Sequence, residues 1–269
     1  MKKHTLSLAV GMLVQTICQA QIRDGIKYDF SCMRVDPYVT AADWGHSVDE
    51  TLVNLFGAPV SVADEMEAGR AYYDSYASQA TFLTDDIRYL ELVMIQTLLE
   101  AQIANPRGFT YQMVLVDDPE LINAFTVGGY IFFTTAMYDF CKTQDEIACI
   151  IGHEMAHNEL GHIRKNLSKA IANQQLFGDF GEITMALGSS ITSGFNQHDE
   201  EHSDFVGMDY AYAAGFEVCQ NVGLWKRMAE LEGNAPAMMG LFRTHPYSIS
   251  RSSCAASHLS VNYGLKCPN

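Results

Sequence analysis

His153, Glu154 and His157, in the run HEMAH, are the residues whose types and spacing most directly suggest chemistry. If the run is helical, residues four apart lie about 40° apart around the axis and share a face. Two imidazoles so placed can grip one tetrahedral metal ion from the same side. Glu154, one step round, is placed to reach a water on that ion rather than the ion itself. Zinc lowers the pKa of such a water to roughly 7, and a carboxylate can then draw off its proton as the oxygen attacks a carbonyl. The expected chemistry is hydrolysis, with one Zn2+ per chain as cofactor. A third protein ligand is required. His162 is near in sequence, but on a continuous helix it stands about 140° round from His157, so it reads as a supporting residue. The acidic stretch Gln197 to Asp204 (QHDEEHSD) is the better source of the third ligand.

These residues need a helix to carry them and neighbours to hold it. Thr143 followed three residues later by Glu146 fits a capping box, and the run from Ile147 to Lys165 contains no proline. Upstream, helices are predicted from Ala63 and over about Thr84–Ala104. Strands are predicted over Phe109–Val116, which stops at Asp117-Asp118-Pro119, and from Tyr130, entered through Gly128-Gly129. Downstream, helices are predicted over Asp199–Ala214 and Val218–Glu232. The expected fold class is α+β: a mainly helical zincin-like core with a small β-sheet and an HExxH active-site helix. The segment 165–198, irregular and containing glycine and serine, is a candidate lid.

Composition narrows the partners. Lys and Arg total 17 against 32 Asp and Glu, for a net charge of −15 in 269 residues. Neutralising phosphates or docking on anionic lipid needs a cationic face, so nucleic acid is not an expected partner. Residues 1–20 combine a short cationic start, an apolar stretch and small residues before a cleavage point after Ala20, and they read as a secretory signal peptide. No other stretch has transmembrane character, so a protein exported to the periplasm, with secretion as an alternative, is expected. Six cysteines remain after Cys18: Cys32, Cys141, Cys149, Cys219, Cys254 and Cys267. An even set in an exported chain suggests disulfides. Pairing Cys254 with Cys267 would tie down the tail. The expected organisation is a signal peptide (1–20), an irregular lead-in (21–62), a domain around the HExxH run (63–252) and a C-terminal tail (253–269).

Several segments together resemble the HtpX-like zinc metallopeptidases, which include the CAAX prenyl proteases and periplasmic outer-membrane quality-control proteases. They are Glu65 to Gly69; Val116-Asp117-Asp118-Pro119, Asn123-Ala124-Phe125 and Gly128-Gly129-Tyr130-Ile131-Phe132; Asp145-Glu146 through His157 to His162; and Thr244-His245-Pro246 with Arg251. The resemblance implies a zinc endopeptidase with Glu154 as general base. The family's Glu-x-Glu-Ala-Asp-x-x-Gly pattern, aligned on Gly207 and Gly215, falls on Glu200 to Gly207 and puts its zinc-binding position at His202. The expected metal ligands are therefore His153, His157 and His202, with Glu201 as the fallback third ligand. Asp204 is expected to accept from a ligand ring N–H. His245 is expected near the metal, stabilising the oxyanion, and Arg251 is expected to pair with a carboxylate under the site. A polypeptide substrate would add as a strand to an edge at 130–135. The competing reading is a non-catalytic, chaperone-like protein that keeps the zinc site as a relic.

Overall fold

The computed structural model describes residues 25–33, 60–168, 195–232 and 250–268. The expected signal peptide, most of the lead-in, most of the candidate lid and the Thr244-His245-Pro246 element lie outside the described residues.

Local chemistry starts the helices where the sequence has caps. Ser61 and Asp64 form a reciprocal capping box for α1 (Val62–Ala77). Asp86 accepts from the Arg88 N–H at the start of α2 (Ile87–Glu100). Three short strands follow: β1 (Gln112–Val116), β2 (Ala124–Val127) and β3 (Tyr130–Thr134). Next come α3 (Thr135–Phe140) and the HExxH helix α4 (Gln144–Glu159), where the Thr143 hydroxyl accepts from the Glu146 N–H. After a helical stretch at 162–168 come α5 (Gln197–Ala213), capped by Asn196, then α6 (Gln220–Glu232) and α7 (Ser250–Tyr263).

The sheet order is β1-β3-β2, with β1 parallel and β2 antiparallel to β3. Gly128 and Gly129 both take positive φ (53° and 89°), as a tight two-residue hairpin turn requires. A side chain at 128 would run into the Glu65 carbonyl oxygen, 1.9 Å from the ideal Cβ. Successive residues of β3 face opposite sides. Ile131 and Phe133 join the main core with α2 and α4, while Tyr130 and Phe132 pack on Tyr72, Tyr73 and Tyr76 of α1. The strand predicted as an exposed edge is thus the central one, flanked on both sides. The edge next to α4 is β2, a four-residue strand (AFTV) too short for its periodicity to show in sequence.

α4 is buried from Glu146 to Asn158. It crosses α5 where two glycines meet: a Cβ on Gly152 would lie 2.6 Å from the Gly207 carbonyl oxygen, and one on Gly207 would lie 2.5 Å from the His153 nitrogen. Only glycine at both positions lets the backbones approach this closely.

The expected tail is a core element. α7 runs through the boundary placed at residue 252 and buries Cys254, Ala255 and Leu259. The expected Cys254–Cys267 pairing does not form. Cys254 faces inward and bonds Cys32, whereas the chain reverses at Gly264 (φ 71°) and brings Cys267 to Cys219. Cys141 and Cys149 are free thiols. Among the described residues no helix is long and apolar enough to cross a membrane.

Candidate metal centre

The Gly152–Gly207 crossing sets the N-terminal turns of α5 against the middle of α4. There Nε2 of His153 and Nε2 of His157 stand 2.9 Å apart. The Glu200 carboxylate lies 3.6 Å from the first and 3.4 Å from the second. Among the described residues, these three form the one group whose metal-capable atoms all fall within 4.8 Å of one another. Ligands about 2.0–2.1 Å from a tetrahedral zinc would be spaced roughly 3.3–3.4 Å apart, so the observed spacings suit one small divalent ion.

The partners of the rings fit the same reading. His153 Nδ1 meets Asp204 Oδ1 at 2.9 Å, so a proton held there leaves Nε2 as a lone pair aimed into the group. Asp204 is gripped in bidentate fashion by Arg251, with Nε to Oδ2 at 2.7 Å and Nη2 to Oδ1 at 2.6 Å. The same guanidinium reaches Glu200 through Nη1 at 3.0 Å and lies over the Trp225 ring at 3.9 Å. Burial alone would raise the Asp204 pKa, but the charge and hydrogen bonds of Arg251 and the contact with His153 outweigh it and hold the carboxyl below its ordinary range.

Glu154, 2% exposed, sits on α4 between the two histidines. Four residues on, Asn158 ties α4 to the hairpin: its Nδ2 donates to Thr126 Oγ1 at 2.6 Å and its Oδ1 accepts from the Gly129 N–H at 3.1 Å. Arg107 donates to the Asn158 carbonyl and pairs with the buried Glu65 at 2.5 Å, so α1, α4 and the hairpin share one buried network. Leu160 ends α4 and Gly161 follows with φ 77°. This break turns His162 back toward the site, where its Nδ1 lies 2.9 Å from Nδ1 of His157. Burial, with His157 adding to it, lowers the His162 pKa to about 3.

His202 is not brought to this group. It lies two residues, about 200° of helix rotation, from Glu200, and its ring packs against Tyr28 and Phe30, with centroids 5.1 and 5.8 Å away. Glu201, the fallback, is buried on another face of α5; neither carboxylate oxygen has a hydrogen-bond partner among the described residues. Burial first, then Asp204 and Glu200, push its pKa up to about 8, against Arg251. The residue that joins the histidines is Glu200, which lies four before Asp204 and therefore on the same helix face. That i,i+4 pair of carboxylates was the sequence signal available for it. The close approach of Gly152 and the Asn158 clip carried no comparable signal. Arg251 sits beneath the site against Asp204, as expected.

The family model for peptidase family M48 matches residues 87–257. The mitochondrial metalloendopeptidase OMA1 of Saccharomyces cerevisiae is 29% identical over 157 residues, covering 54% of this chain and 46% of that protein. The metalloprotease LoiP of Escherichia coli K12 is 26% identical over 203 residues, covering 70% and 77%. The beta-barrel assembly-enhancing protease of Yersinia pestis is 24% identical over 220 residues, covering 74% and 44%. The chain thus spans about half the length of the OMA1 relative. The family model covers well over half of the 269 residues, across the HExxH helix, Glu200, Asp204 and Arg251, and the chain belongs to peptidase family M48.

Proposed function

We propose that the protein is a zinc-dependent endopeptidase that hydrolyses peptide bonds of exported or misfolded cell-envelope proteins. One observation carries the reading: Nε2 of His153, Nε2 of His157 and the Glu200 carboxylate converge beside a buried Glu154. His153, His157 and Glu200 would hold the ion, in place of the expected trio with His202. Zinc held there would supply Lewis acidity toward the scissile carbonyl and the attacking water. Glu154 would take a proton from the attacking water and pass it to the leaving amine. Asp204 and Arg251 keep His153 in the tautomer that points Nε2 inward. An extended peptide pairs with β2, the outer strand that Asn158 holds against α4, and so passes in front of Glu154. His245 is assigned to the oxyanion, on the resemblance of its Thr-His-Pro element.

The envelope assignment draws on the N-terminal pattern of residues 1–20 and on two disulfides, which persist in oxidising compartments. The name of the beta-barrel assembly-enhancing relative suits a protease of the cell envelope. The chaperone-like reading draws on an imidazole at the third-ligand position, and the Glu200 carboxylate beside His153 and His157 supports the catalytic reading instead.

The test is Glu154→Gln in the oxidised protein without residues 1–20, measured against denatured casein. Zinc content should stay at one per chain while cleavage falls by about 10²–10⁴-fold, the usual worth of a general base. Undiminished cleavage would overturn the mechanism, and absence of zinc from the parent protein would overturn the whole reading.

A further inference from the structure

We infer that His162 is a positioning residue for the metal: it accepts the Nδ1 proton of His157 and so holds that ligand with Nε2 turned toward the ion. The inference rests on the zinc reading above and adds a role outside the metal ligands.

The two histidines of the HExxH run are supported differently. His153 has a carboxylate behind it, Asp204, which is itself held by Arg251. Behind His157 stands another imidazole. Its Nδ1 lies 2.9 Å from His157 Nδ1. A hydrogen bond between two ring nitrogens needs one donor and one acceptor. When His157 binds a metal through Nε2, its proton must be on Nδ1, so His162 must be neutral with its own proton on Nε2. The surroundings of His162 match that state. The ring is buried, which disfavours the doubly protonated form. Its Nε2 points to Asp199, with Oδ1 3.6 Å away, and the Ser203 hydroxyl, 3.2 Å from Nδ1, is a second, longer donor to the lone pair that faces His157. Asp199 is positioned in turn by Asn196 at 2.9 Å and Lys165 at 3.2 Å. On a continuous helix His162 would face away from the site. The left-handed turn at Gly161, φ 77°, is what brings it back.

Two replacements separate acceptor from bulk. His162→Phe keeps a ring without an acceptor nitrogen, and His162→Asn restores an oxygen near the Nδ1 position. Zinc affinity, measured by competition with a chromophoric chelator, should fall about 10–100-fold in His162→Phe, the usual cost of removing the partner of a ligand histidine. His162→Asn should recover most of it. A Phe variant that binds zinc like the parent, or an Asn variant as weak as Phe, overturns the inference. If His162→Phe does not fold, the zinc-loaded parent protein with 15N-labelled histidine decides. A 15N–15N coupling across the hydrogen bond, with the His162 proton on Nε2, supports the role; a proton on His162 Nδ1 overturns it. A parent protein that takes up no zinc overturns the proposed function together with this inference, whereas a zinc-binding parent matched by its Phe variant overturns this inference alone.

Discussion

Replacing Gly207 by alanine tests whether the helix crossing builds the site. The new Cβ would stand 2.5 Å from the His153 nitrogen and 2.6 Å from the Gly152 carbonyl carbon, both backbone atoms of the helix that carries the ligands. Ordinary contact begins near 3.4 Å, so the helices must part by about 3.4 − 2.5 = 0.9 Å at the crossing. Glu200 sits two turns away on the same helix, and its 3.4 and 3.6 Å spacings to the histidines would open with it. Metal–ligand distances tolerate only about ±0.2 Å. Zinc affinity should therefore fall at least about tenfold, or about 1.4 kcal/mol. Overpacking costs about 1–3 kcal/mol, while alanine in a helix interior gains back roughly 1 kcal/mol over glycine. Net destabilisation of the metal-free protein should therefore be about 0–2 kcal/mol. Gly223→Ala is the control, because among the described residues its Cβ would meet only Arg227 Nη1, at 3.8 Å. Chelator competition and thermal unfolding of both variants make the comparison. Parental zinc affinity in Gly207→Ala would refute the crossing as the source of the geometry.

Arg251→Met leaves the buried carboxylates of Asp204 and Glu200 without their shared cation, and breaking a buried pair from one side costs about 3–5 kcal/mol. Denaturant unfolding of chelator-treated protein should register that loss, and a midpoint equal to the parent's would show that the carboxylates are neutralised by something else. Glu201, with its pKa raised to about 8, binds a proton in the folded state that it has already released in the unfolded chain between about pH 4.5 and 8. Stability should therefore fall as pH rises through that window and level off above it. Glu201→Gln should flatten the dependence of Tm on pH between 5 and 8, whereas an unchanged slope would assign it to another group.

The parts legible in sequence were those decided within one element. The HExxH helix showed itself through an i,i+4 spacing, a Thr143 cap and an unbroken run, all local properties. β1 and β3 showed themselves through β-branched and aromatic residues bounded by turn signals. β2 did not, because four residues offer too little alternation, and so β3 was read as an edge. Residues after 252 read as a tail because the buried side of Ser250–Tyr263 mixes polar residues (Ser250, Arg251, Ser252, His258) with Cys254, Ala255, Leu259 and Tyr263, so no plain apolar stripe shows in sequence.

The partner of a local motif is a different kind of fact. The sequence by itself determined that two imidazoles and a carboxylate share one helix, since 3.6 residues per turn leaves little choice once the helix forms. It also made the acidic opening of α5 the better source of a third ligand. Which of Glu200, Glu201 and His202 turns inward depends on how α5 rotates against α4. That rotation is set where Gly152 meets Gly207 and where Arg251, from a third helix, pulls Glu200 and Asp204 to one side. The same holds for the cysteines and for His162: pairing and facing are set by distances between segments far apart in the chain or by a single left-handed residue at Gly161. Only the packed chain expresses those distances.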